Sequence, residues 1–141
     1  MKFKYLKFPL PKRSEFLGNI ILKPVIPIKI LRGNNIVSYA ALIDSGADIC
    51  IFHSDVGKYL GLDISSGIRA EFGGVQGIGG SEAFLHKAML NIGGWDYETA
   101  IGFSDDIAEH SFGILGQKGF FDIFVVKFDL VKEEIELKER K

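Results

Sequence analysis

Apolar side chains recur at every second position of this chain in short runs, and each run stops at proline, glycine or asparagine. Phe3 and Tyr5 alternate with Lys2 and Lys4, and comparable runs occupy residues 25–31 and 36–43. A period of two sets alternate side chains on opposite faces of a pleated strand, so the runs read as strands and the expected fold class is all-β. Glycine agrees: 17 in 141 residues is about 12%, where about 7% is average, and the excess supplies tight turns between many short strands.

Arg32-Gly33-Asn34-Asn35 tolerates positive φ and joins the two long runs as a hairpin. Residues 54–60 follow as a short helix, with Ser54 as its cap, Val56, Tyr59 and Leu60 on one face, and Gly61 just past its end. A long hairpin is expected from 68–72 to 82–92, its tip the glycine-rich segment 73–80. Gly93-Gly94 turns it into a strand over 95–103, and 104–111 is a polar loop. After the short apolar segment 112–115, residues 117–123 suit one or two helical turns, and 124–130 with Ile135 and Leu137 suit a closing hairpin. The pairs Glu134/Lys138 and Glu136/Arg140 suit a helix there as well, and the charged stretch 132–141 reads as a solvated face.

A length of 141 residues suits one domain, 1–141. Seventeen cationic against 18 anionic side chains give a net charge of −1, without the basic excess of a phosphate-neutralising protein, so no nucleic acid partner is expected. One cysteine, Cys50, forms no internal disulfide, which fits a reducing compartment or a fold that needs no staple, and a cytoplasmic location is expected. Lysines interrupt the N-terminal apolar run before it reaches signal-peptide length. The apolar-rich stretches 20–31 and 123–131 are broken by Lys, Pro or Asp and fall short of the ~20 residues of a membrane span, so no membrane partner is expected.

The segment Ala41-Leu42-Ile43-Asp44-Ser45-Gly46-Ala47-Asp48 sets an acidic residue directly after an apolar run. A carboxylate held there either collects hydrogen bonds or shifts its pKa, and perturbed carboxylates concentrate where chemistry is done. Gly46 permits the turn that presents Asp44, and the Ser45 hydroxyl can fix the loop through the backbone. Asp-Ser-Gly is also an ordinary turn tripeptide; its company separates the two readings. A glycine-rich hairpin lies downstream, and a second strand end, Ile114-Leu115-Gly116, follows 70 residues later, so the chain carries a faint internal echo.

In that order and spacing the chain resembles the retropepsin-like aspartic proteases, over roughly residues 25–137. The segment 41–47 is similar to the family's active-site loop, 73–80 to its flap, with Gly77, Ile78 and Gly79 at the tip, and Ile114-Leu115-Gly116 to its second glycine motif. The resemblance implies a small closed or partly open β-barrel with one or two short helices, and Asp44 as the catalytic residue within the loop Ser45, Gly46, Ala47 and Asp48. Retroviral members usually carry Arg after the second glycine motif, able to pair with the acid at the position of Asp48; this chain has Gln117 there. Aspartic-protease chemistry needs two carboxylates, one to take a proton from water and one to donate to the scissile carbonyl. Only one such loop exists, so the expected unit is a homodimer with one Asp44 per chain, acting on a peptide or protein substrate without cofactor or metal. The competing reading is a non-catalytic dimerisation or peptide-binding module on the same fold.

The remaining groups point elsewhere. His53, His86 and His110 lie far apart in sequence without ligand spacing, and Cys50 between Ile49 and Ile51 reads as a small core residue. Gly77-Ile78-Gly79-Gly80-Ser81-Glu82 ends in Glu where a dinucleotide fingerprint needs Gly or Ala. Trp95 and the 12 phenylalanines are expected to fill the core, as are Ala41, Ile49, Ile101 and Ile114, which stand in line for substrate pockets on the protease reading.

Overall fold

A computed structural model describes residues 1–73 and 80–141, and the expected flap tip, Gly77, Ile78 and Gly79, lies outside the described residues. The hairpin read at 32–35 forms: β4 (Val25–Arg32) and β5 (Asn35–Ile43) pair antiparallel from Val25 against Leu42 to Arg32 against Asn35. β8 (Ser81–Ile92) and β9 (Trp95–Ser104) pair along their lengths, joined by Gly93 and Gly94 at φ 61° and 89°. Both turn residues sit where a side chain is strained, which is why two glycines stand there.

Two short strands convert these hairpins into a barrel. β10 (Gly113–Leu115) lies parallel to the end of β5 and antiparallel to β6 (Ile51–His53), and β6 lies parallel to the end of β9. β8 then returns to β4 through Lys29 against Asn91, Ile30 against Leu90 and Leu31 against Met89. The ring β4-β5-β10-β6-β9-β8 is therefore closed, with β7 (Ile68–Phe72) paired to the start of β8 as the base of the long hairpin. The all-β expectation and its closed barrel hold. No helix among the described residues is long and apolar enough to cross a membrane.

Alternation decides what fills the ring. Ile26, Ile28 and Ile30 of β4 point inward with Pro27 and Lys29 outward, and Ala41, Ile43, Phe52, Leu90, Ile92, Ile101, Phe103 and Leu115 join them. Phe120, Phe124, Ile135 and Leu137 extend this cluster beneath the C-terminal hairpin of β11 (Phe124–Asp129) and β12 (Glu134–Glu139). Each large apolar side chain so buried contributes roughly 1.5–3 kcal/mol. The closing hairpin, not a helix, is what forms, because Ile135 and Leu137 two residues apart reach the core only from a strand. β1 (Lys2–Lys4) pairs on the other edge of β12.

Several local expectations need correction. α1 (Ser54–Tyr59) is capped by His53, whose Nδ1 accepts from the Asp55 N–H at 3.1 Å. Ser54 is instead buried and donates its hydroxyl to Asp105. Val56 and Leu60 face the core as expected, but Tyr59 is exposed, as are Trp95 and Phe16. Residues 117–123 make hydrogen-bonded turns rather than a helix, since Gly119 at φ 103° breaks the helical path. The ribbon of β2 (Leu6–Ser14) and β3 (Gly18–Lys23) was not read from the sequence; Pro9 and Pro11 disguise its first strand.

Candidate active site

Asp44 stands at the first position after β5, where that strand lies parallel to β10 with Ile43 against Leu115. Its N–H donates to the Leu115 carbonyl at 3.0 Å, so the two strand ends that echo each other in sequence meet in space. The chain then turns: the Ala47 N–H donates to the Asp44 carbonyl at 3.1 Å, and Asp44 Oδ1 accepts from the Gly46 N–H at 2.9 Å. Asp44 is half-buried, and Ser45, Gly46 and Asp48 are exposed. The carboxylate is thus oriented by its own loop and open to solvent, with Oδ2 unpartnered among the described residues.

The second glycine motif locks this loop from beneath. Past Leu115, the Gln117 N–H donates to the Ala47 carbonyl at 2.8 Å, the Lys118 N–H donates to the Asp48 carbonyl at 2.9 Å, and Ile49 bridges Lys118. A Cβ on Gly116 would meet Ala47 O at 2.7 Å and Ile49 O closer still, so only glycine lets the two segments approach. Gln117 Nε2 donates to the Ser45 carbonyl at 2.9 Å. An uncharged amide therefore holds the loop, and Asp48 has no ion pair among the described residues.

Cys50 lies just under this lock, wholly buried, accepting at Sγ from the Gly116 N–H at 3.4 Å. Burial pushes its thiol up to about 12, with the Gly116 hydrogen bond opposing and Asp122 adding to the rise. Such a thiol is a core group and not a nucleophile at neutral pH. Ala41 and Ile101 are fully buried, whereas Ile49 and Ile114 are half-buried near the loop.

Sequence spacing missed one constellation. His53, Asp55 and Glu109 bring ligand-type atoms within 4.8 Å of one another. The fit to a metal is poor: His53 Nδ1 accepts from the Asp55 N–H, so its ring proton sits on Nε2, and a metal there requires breaking the helix cap or removing that proton. The other two histidines lie apart in role, with His86 Nε2 bonded to the Ile64 carbonyl at 2.8 Å and His110 at φ 59° in the loop before β10.

No protein-family model matches the chain, and no curated protein matches it in sequence. Among solved structures the chain is similar to EIAV protease complexed with the inhibitor HBY-793, at a TM-score of 0.47 and 22% identity, covering 67% of this chain and 82% of that one.

Proposed function

We propose that the chain is one half of a homodimeric aspartic peptidase of the retropepsin-like type, in which Asp44 from each copy forms the catalytic pair. The observation that supports this is the seat of Asp44: a half-buried carboxylate at the end of a barrel strand, one oxygen tied to the Gly46 N–H, on a loop strapped by residues 115–118. Catalytic carboxylates need fixed orientation with an open oxygen, and this seat supplies both.

Two carboxylates about 3 Å apart do not both ionise cheaply, so the pair holds one proton between them. The ionised member takes a proton from water as its oxygen attacks the scissile carbonyl carbon, and the protonated member donates to the carbonyl oxygen. Proton return to the amide nitrogen breaks the C–N bond and leaves a carboxylic acid and an amine. The substrate class is an extended peptide, held beside the barrel as an added strand, with the hairpin based on β7 and β8 as its cover.

The test is Asp44→Asn, nearly isosteric with Asp. Cleavage of a diverse peptide library, followed by mass spectrometry from acidic to neutral pH, should fall by roughly 10³-fold or more while the thermal melt holds. Specific activity of the native protein should rise with its concentration, because only the dimer carries the pair. Activity near native in the Asn variant would refute the assignment.

A further inference from the structure

The ribbon of β2 and β3 is hydrogen-bonded to no other described strand. An isolated two-stranded ribbon is marginally stable at best in water and needs a surface to pack on. One of its faces has one: Phe8 meets Phe112 edge-on with centroids 6.2 Å apart, and Lys23 lies 4.6 Å over the Phe8 ring. The register puts Phe8 and Ile21 on that face and Pro9 and Ile20 on the other, where Ile20 is half exposed. Beyond them the turn carries Leu17, 54% exposed, and Phe16, 94% exposed. Phe16 is therefore left almost bare by the described residues of its own barrel.

Charge separates along the same line. Residues 6–23 carry Lys7, Lys12, Arg13 and Lys23 against Glu15 alone, a net of +3, and with the whole chain at −1 the remainder carries −4. Lys7, Lys12 and Arg13 make no ion pair with any described residue. On the barrel, Val37, Tyr39, Val56 and Tyr59 line an open cavity of about 190 Å³ that His53, Asp55 and His110 also border. Glu109, in no ion pair with a described residue, stands within 4.8 Å of His53 and Asp55; Asp55 also has Lys58 at 4.0 Å, Asp105 accepts the Ser54 hydroxyl and Asp106 accepts the Glu82 N–H, so Glu109 is the acid this rim leaves open to a partner cation. An apolar cavity of about 150 Å³ accepts benzene, so this one has room for a phenyl ring.

We infer that the ribbon tip is an interaction arm for a second copy of the chain: Phe16 of one copy seats in the Val37/Tyr59 cavity of the other, with Lys12 and Arg13 facing its Asp55 and Glu109. A twofold axis makes the contact reciprocal and closed, so each arm fills one cavity and neither surface is left to extend into a fibre. An anionic lipid surface matches the cationic ribbon but leaves the acid-rimmed cavity without an occupant; a second copy accounts for both. The inference goes beyond the peptidase reading and does not need Asp44 to be catalytic.

The test is sedimentation equilibrium of the full chain at micromolar concentration in the Asp44→Asn background, which reads association without hydrolysis. Phe16→Ser should raise the dimer dissociation constant roughly tenfold or more, as loss of a central aromatic anchor does, while the melt read at a concentration where both proteins are monomers stays unchanged. Arg13→Glu and Glu109→Lys should each weaken the dimer, and the two together should restore it. An unchanged dissociation constant in Phe16→Ser, or failure of the paired reversal to restore binding, overturns the arm contact. So does a monomeric parent protein, or a parent that binds phosphatidylserine vesicles through Phe16 without self-associating.

Discussion

Gly116→Ala isolates the lock under the Asp44 loop. The backbone at Gly116 is not in the left-handed region, so the cost of a side chain there is crowding alone. An added Cβ lies 2.7 Å from both Ala47 O and the Ile49 carbonyl carbon, where an ordinary C···O approach is about 3.3 Å or more. Residues 47–49 must therefore withdraw by roughly half an ångström to an ångström. They are held by the Gln117 and Lys118 N–H bonds at 2.8 and 2.9 Å, with the Asp44 N–H bond at 3.0 Å beside them. Strain of about 1–3 kcal/mol from overpacking, plus about 0.5–1.5 kcal/mol for each of the two straps from Gln117 and Lys118 if stretched out of range, gives a loss of about 2–6 kcal/mol. That is a large share of the roughly 5–15 kcal/mol that a domain commands. Urea unfolding followed by circular dichroism, at matched protein concentration, should show a lower midpoint at unchanged slope. Gly46→Ala is the comparison: among the described residues its Cβ meets only Asp44 Oδ1, at 3.2 Å, so stability should change by less than about 1 kcal/mol while the carboxylate is displaced and hydrolysis falls. A loss below about 1 kcal/mol in Gly116→Ala would refute the crowding argument.

The Cys50 thiol should resist iodoacetamide in the native protein and react only on unfolding, as mass spectrometry would show; native alkylation at pH 8 contradicts its burial. Its folded value near 12 exceeds the unfolded 9.0, so the folded state holds the proton longer: this contribution to stability is intact below pH 9 and lost between pH 9 and 12, by roughly tenfold in the folding constant per pH unit, measurable by urea titration. His53→Ala should lower the melting temperature, since losing the cap costs about 1 kcal/mol before any packing loss. His53→Asn, which keeps an acceptor, should recover part of that, and equal melts for the two would show that the cap contributes nothing.

The parts of the fold legible in the sequence are those whose partners are near in the chain. Residues 25–43 declare themselves because alternation and the Gly33-Asn34 turn specify the same hairpin, and 81–103 does so through Gly93-Gly94. Asp44 was legible as a candidate for a similar reason: an acid directly after an apolar strand is a local oddity. The lock beneath it was only half legible, as a glycine, because the crowding at Gly116 comes from carbonyls of residues 47 and 49. Ser54 looked like the helix cap because cap preferences favour hydroxyls, but Asp105 claims that hydroxyl and the imidazole before it takes the role. Tyr59 was placed on the buried face by period alone, and a helix of six residues has too few turns for period to settle it. The ribbon was hidden because proline argues against a strand, and both prolines sit in a strand with only one partner.

The parallel contact between β5 and β10 also governs when the Asp44 loop takes shape. Ser45 and Gln117, hydrogen-bonded in the finished barrel, are separated by 72 residues, and Met1 meets Leu137 across 136. Pairings this remote close only after the local hairpins on either side have formed, because chain entropy opposes them until neighbouring contacts are in place. A chain emerging from synthesis has Asp44 long before it has Gly116, so during that interval the carboxylate rides on an unstrapped loop. Folding order thus delays assembly of the loop until residues 115–118 have been made and β10 has paired.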